Sequence, residues 1–191
     1  LKAVYALGVA REDWVPPYFH MLKTGISETL ADLCEDGLLV RVAIDEWEQP
    51  AFVHPDNLPL VAAALEGGLN PTHTTLLSPF DPLVSDRARA SELVNFDYRM
   101  ESFTPAKDRR YGYFCLPILH KGRLIGRLDP KAHRREKRME IKNIYLEPGV
   151  DLTQALVDAL KITLEKFTRW HGMDRLDIRE TEPCELREAL L

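Results

Sequence analysis

The sequence has no apolar run near the roughly 20 residues that cross a bilayer, and no basic N-terminal region leading into an apolar stretch. Neither a membrane span nor a signal peptide is expected, and the reading is a cytoplasmic protein. Cysteine is scarce: Cys34, Cys115 and Cys184 lie far apart, with no CxxC pair. This excludes a disulfide framework and a cysteine zinc site and fits reduced thiols. The six histidines, His20, His54, His73, His120, His133 and His171, fall in no HExxH or other metal spacing, and GxSxG is missing too. No metal or cofactor is expected. The chain opens at Leu1, without Met, in apolar helix-like sequence, which reads as the cut edge of a larger protein.

What is present is an uneven charge. The whole chain carries −5, yet Thr104 to Tyr145 holds twelve Lys and Arg against four Asp and Glu, a local net of +8. A concentrated positive field attracts phosphate whatever the distant charge, so the stretch predicts a polyanion-facing surface. A plain solvated face is the alternative.

With 191 residues, 45% of them hydrophobic, the chain can bury a sizeable core. Pattern divides it into two modules, residues 1–70 and 71–191. In the first, "REDWVPPYFHML" (11–22) predicts a short helix, with Pro16 and Pro17 in its first turn or at a break. "KTGISETLADLCEDGLLVRV" (23–42) predicts a second, capped by Ser27 or Thr24, with Ile26, Leu30, Leu33 and Cys34 as its apolar stripe and Gly37 as its stop. "LLVRVAID" and "PAFVHP" read as a hairpin. Helix, turn, helix, hairpin is the order of a winged helix. The helix at the recognition position carries Glu28, Asp32, Glu35 and Asp36, which phosphates would repel, so only its front edge, Lys23, Thr24, Ser27 and Thr29, is a candidate DNA contact.

A Gly, Asn and Pro cluster at 66–71 marks the boundary. Beyond it, Arg87 to Val94 can form a turn or two of helix. "YGYFCLPILHKGRLIGRLDP" (111–130) holds two strands, with Pro117 at an edge or bulge, and "RMEIKNIYLEP" a third. A long amphipathic helix follows over 151–171, with Gly172 past its end, and "RLDIRE" can return a last strand. The fold class is therefore α+β: a winged helix followed by a small antiparallel β-barrel-like module with a long C-terminal helix.

"LLSPFDPLVSDRARASELVNFDYRMESFTPAKDRRYGYFCLPILHKGRLIGRLDPKAHR" (76–134) resembles the C-terminal half of the bacterial winged-helix DNA glycosylases of the AlkZ and YcaQ group, which unhook interstrand crosslinks. SPFDPLV, FDYR, the basic block ending in RRYGY, LP-x-L and GRLIGRLD carry the match. The family is described as three winged helices and a β-barrel shaping a basic DNA channel. By resemblance this chain holds the last winged helix and the barrel, with duplex DNA and the parent chain's N-terminal domains as partners. "LLSPFDPLV" would turn the chain between the modules. Arg87, Arg89, Lys107, Arg109 and Arg110 become candidate phosphate contacts, because the arginine fork and the lysine charge suit phosphate oxygens. Asp81, Asp86 and Asp97 are expected to orient those arginines through ion pairs. Tyr111 and Tyr113 either stack on a displaced base or pack in the barrel.

The family's Gln-x-Gln or Gln-x-Asp motif, which positions a water at the glycosidic bond, does not match here. The only glutamines are Gln49, followed by Pro50 and Ala51, and Gln154, followed by Ala155 and Leu156. No catalytic residue is assigned, and the motif is expected upstream. Two readings stand: the DNA-binding portion of a repair glycosylase that excises alkylated bases, or a non-enzymatic winged-helix DNA-binding or regulatory module.

Overall fold

In the computed structural model, which describes residues 1–191, the chain divides into two units, Leu1–Asn70 and Pro71–Leu191. The first runs α1 (Lys2–Leu7), β1 (Val9–Arg11), α2 (Val15–Tyr18), α3 (Ile26–Glu35), β2 (Val40–Val42), β3 (Ala51–Val53) and α4 (Leu58–Leu65). At the end of α3, Gly37 takes φ 71°, which lets Leu38 N–H reach the Leu33 carbonyl at 2.9 Å and Gly37 N–H the Cys34 carbonyl at 3.1 Å. These reversed bonds satisfy the last turn and send the chain into β2.

The three short strands form an antiparallel sheet in the order β1, β3, β2, with Val53 opposite both Val9 and Val40. Central β3 is wholly buried. Val4, Ala10, Val15, Leu30, Leu39 and Phe52 make the core beneath it. The helix predicted over 11–22 is shorter than its pattern suggested: Arg11 belongs to β1, Glu12–Trp14 is a 3-10 turn, and α2 ends at Tyr18. Capping of α3 differs as well. Gly25, at φ 77°, holds the N-cap position, and the Ser27 hydroxyl instead donates to the Glu12 carboxylate at 2.5 Å. No residue of α4 is buried.

The second unit comprises β4 (Thr74–Leu76), α5 (Pro82–Ser85), α6 (Arg87–Val94), β5 (Leu116–His120), β6 (Arg123–His133), β7 (Arg138–Leu146), α7 (Gln154–Trp170), β8 (Arg175–Glu182) and α8 (Glu185–Leu190). Its sheet runs β4-β5-β6-β7-β8, antiparallel except for the β7–β8 pair, which is parallel. A parallel neighbour needs a crossover, and α7 supplies it. Thr153 caps α7 by accepting Leu156 N–H at 3.2 Å. Leu156, Val157, Leu160 and Leu164 then bury against Leu116, Ile118, Leu128, Met139, Ile141 and Ile144, each contributing about 1.5–3 kcal/mol.

This corrects the expected antiparallel barrel. The sheet is open, because the long helix covers the apolar face that closure would otherwise have buried, and the last strand is parallel. Pro117 lies on an interior strand beside a bulge at Ile118/Leu119, and its carbonyl accepts Leu77 N–H at 2.9 Å. On the face away from α7, Leu77, Val84, Phe96 and Tyr98 form a second, smaller core with Leu119 and Leu124.

Candidate nucleic-acid interface

Strand alternation puts Leu128 of β6 into the core under α7 and its neighbour Arg127 on the opposite face, beside its cross-strand partner Tyr145. Arg127 is 2% exposed. Its guanidinium donates to the Asp97 carbonyl at 2.9 Å and to the Glu147 carboxylate at 2.6 Å, leaving Nε without a partner. The guanidinium carbon lies 4.2 Å from the Tyr111 ring centroid, 4.5 Å from Phe96 and 6.0 Å from Tyr98. A buried cation is tolerated here because it is ion-paired and surrounded by aromatic faces. The Tyr98 hydroxyl donates to the Cys115 carbonyl at 2.7 Å, and burial raises its pKa.

Above this post lies the basic segment. The Glu101 carboxylate accepts three successive backbone N–H groups, from Arg110 (3.0 Å), Tyr111 (2.8 Å) and Gly112 (3.1 Å). Burial alone would raise its pKa, but these donors bring it below the ordinary carboxylate value. Gly112, at φ 147°, is required twice over, since a Cβ there would stand 2.5 Å from an Asp129 carboxylate oxygen. That carboxylate, 3% exposed, accepts Tyr113 N–H at 3.2 Å and Lys142 Nζ at 3.1 Å.

The structure sorts the candidate contacts. Lys107 and Arg110 are exposed and without an ion pair, with the Arg110 guanidinium 4.7 Å from the Tyr111 ring. Arg109 is half-buried: its Nε donates to the carbonyls of Glu101 (3.3 Å) and Thr104 (2.9 Å), and its guanidinium covers Tyr113 at 4.9 Å. It braces the loop. Arg87 is exposed on α6, whereas Arg89 is 5% exposed and donates to the Pro82 carbonyl. Asp81 and Asp86 cap α5 and α6 through Leu83 N–H (2.9 Å) and Arg89 N–H (3.2 Å), and Asp97 acts through its backbone carbonyl on Arg127. Tyr111 sits between the Arg110 and Arg127 guanidiniums and edge-on to Tyr145 at 5.1 Å. Lys23, Thr24 and Ser27 are exposed ahead of and at the start of α3.

Part of the +8 is neutralised where it stands. Arg127 pairs with Glu147, Lys142 with Asp129, Arg138 with Glu136 and Asp177, and Lys137 with Asp174. Glu140, gripped by His133 at 2.7 Å and Arg179 at 2.9 Å, has its pKa lowered to about 2, chiefly by the His133 hydrogen bond. Arg134 and Arg135, at the turn between β6 and β7, remain exposed and unpaired.

No carboxylate lines a groove of about 910 Å³ beside the end of α7, whose walls include Leu76, Phe114, Phe167 and Trp170. Cys115 is 3% exposed and its thiol is pushed up to about 12, chiefly by burial, so it is no nucleophile at neutral pH. No group of three or more His, Cys, Asp or Glu side chains is placed to hold a metal ion. No helix is long and apolar enough to cross a membrane.

Arg127, Glu101, Asp129 and Glu147 were not singled out by sequence reasoning. The available signal was the alternation in GRLIGRLD, which places Arg127 opposite Leu128. No solved structure matches the chain. The family model for AlkZ-like DNA glycosylases matches residues 1–170, which takes in the whole first unit, the basic loop and the sheet as far as α7. The chain therefore belongs to the AlkZ-like DNA glycosylase family.

Proposed function

We propose that this chain is the DNA-gripping portion of a bacterial, cytoplasmic repair glycosylase that excises alkylated bases and unhooks interstrand crosslinks. Residues 1–70 act as a winged helix, the last of a tandem set in the parent chain. Support comes from the order helix, strand, two helices and antiparallel hairpin, with α3 at the recognition position and residues 43–50 as the wing. Its acidic flank leaves Lys23, Thr24 and Ser27 as the edge that approaches DNA. Residues 71–191 hold the duplex through Lys107 and Arg110, with Arg87 on a neighbouring helix.

The observation that carries the reading is the braced loop at 101–113, which presents unpaired cations on a backbone fixed by Glu101 and Arg109. A fixed cation loses little freedom when it meets a phosphate. Hydrolysis of the glycosidic bond needs an oriented water. Of the acids on and behind the loop, Glu101 and Asp129 are already occupied by backbone N–H groups and Lys142, Asp108 stands exposed between Lys107 and Arg109, and Gln154 donates to Asp158 on the surface of α7. The water-positioning motif is assigned to the winged helices upstream.

Two measurements test this. Duplex binding should weaken steeply with salt, and Lys107→Ala with Arg110→Ala should reduce the log–log salt slope by up to about two. Arg109 is left intact because it holds the loop. The chain alone should release no base from a duplex carrying an N7-alkylated guanine. An unchanged slope removes both cations from the footprint, and base release by the chain overturns the assignment of chemistry elsewhere.

A further inference from the structure

We infer that Phe103 is a stacking wedge that enters the base stack of bound DNA at an unpaired or weakly paired position, an inference that rests on the DNA-grip reading. Phe103 is 92% exposed, more than any other Phe, Tyr or Trp in the protein. A single exposed apolar side chain is ordinary; its mounting is what sets this one apart. It occupies the corner of a tight turn closed by Thr104 N–H on the Glu101 carbonyl at 2.9 Å. Arg109 Nε donates to the carbonyls of both Glu101 and Thr104, and the Glu101 carboxylate ties the same turn to the backbone of residues 110–112. The turn is thus clamped from two directions.

The neighbouring tyrosines lack this freedom. An arginine guanidinium covers Tyr113, and two flank Tyr111, whereas Phe103 makes no ring or cation contact. Its ring is open on both faces and lies within a segment bearing Lys107, Arg109 and Arg110. An apolar aromatic surface bordered by cations complements a nucleobase bordered by phosphates. Because the turn is held before binding, insertion sacrifices little conformational entropy.

The test uses the whole chain and two otherwise identical duplexes, one fully paired and one in which a 2-aminopurine has no partner base. The wild type should bind the unpaired duplex about tenfold more tightly and quench the 2-aminopurine fluorescence on binding. Phe103→Ala should equalise the two affinities and abolish the quench without changing the salt slope. Phe103→Trp should keep both. Retention of the preference and the quench by Phe103→Ala overturns the wedge. So does steep, salt-dependent wild-type binding that ignores the unpaired base, which leaves the grip standing. No binding to either duplex at any salt removes grip and wedge together.

Discussion

Arg127→Ala should cost the second unit about 2–5 kcal/mol, the range of large-to-small substitutions at a buried site, since Arg127 is 2% exposed while its partner Glu147 is 30% exposed and can be hydrated. The substitution takes away two donors at once, one from the Asp97 carbonyl and one from Glu147, and empties the space between Phe96 and Tyr111. Urea unfolding of the second unit should register it as a lower midpoint with little change in slope. Arg127→Met, which refills much of the volume, should recover part of the loss. A cost below about 1 kcal/mol for Arg127→Ala would place the pair in the range of exposed salt bridges and deny the post its structural role.

Glu101→Gln carries the second large effect, and it falls on binding. One carboxylate serves three backbone N–H groups; an amide offers one acceptor oxygen and turns an N–H₂ toward the remaining donors. Each unsatisfied group costs about 1–3 kcal/mol, so the loop should release its hold on residues 110–112. Duplex affinity should fall at least about tenfold, since each 1.4 kcal/mol is tenfold, while the sheet behind it persists by circular dichroism. The pH dependence follows in sign. The Glu101 pKa is lowered on folding, so its contribution is complete above the unfolded value near 4.5 and fades as pH drops through the lowered folded value. Stability of the wild type should therefore have an acid limb that Glu101→Gln lacks. Equal affinities for the two proteins at neutral pH would show that the loop needs no carboxylate.

Much of the second unit was legible because its signals are local. Alternation marked β5, β6 and β7, the leucine spacing marked α7, and Arg87–Val94 is the helix expected there. The closure of the sheet was not legible. Whether strands curl into a barrel or stop at a helix depends on which surface α7 covers, a non-local matter that no short window contains. β4 and α8 passed unnoticed for a related reason: three residues beside a proline-rich turn and six at the chain end have too little periodicity to register. At the candidate site, charge counting found the right segment but treated its cations as equivalent. Burial separates them, sending Arg127 inward, making Arg109 a brace and leaving Lys107 and Arg110 to solvent. The acids that organise the loop, Glu101 and Asp129, lie nine or more residues from the groups they hold and could not be matched to them without the fold.

The parallel strand β8 has a bearing on what keeps the sheet of the second unit from joining another. It lies beyond the family-matched residues, yet it runs along β7 from Arg138 opposite Arg175 to Tyr145 opposite Glu182. Without it, β7, still hydrogen-bonded to β6, would present a free edge rich in Met, Ile, Tyr and Leu as a template for another chain. In its place the sheet ends on RLDIRETE, where charged Arg175, Asp177, Arg179, Glu180 and Glu182 discourage a further strand from adding. A shortened chain ending at residue 170 should keep its basic loop and still precipitate, because the charged border that keeps one sheet from joining the next would be gone.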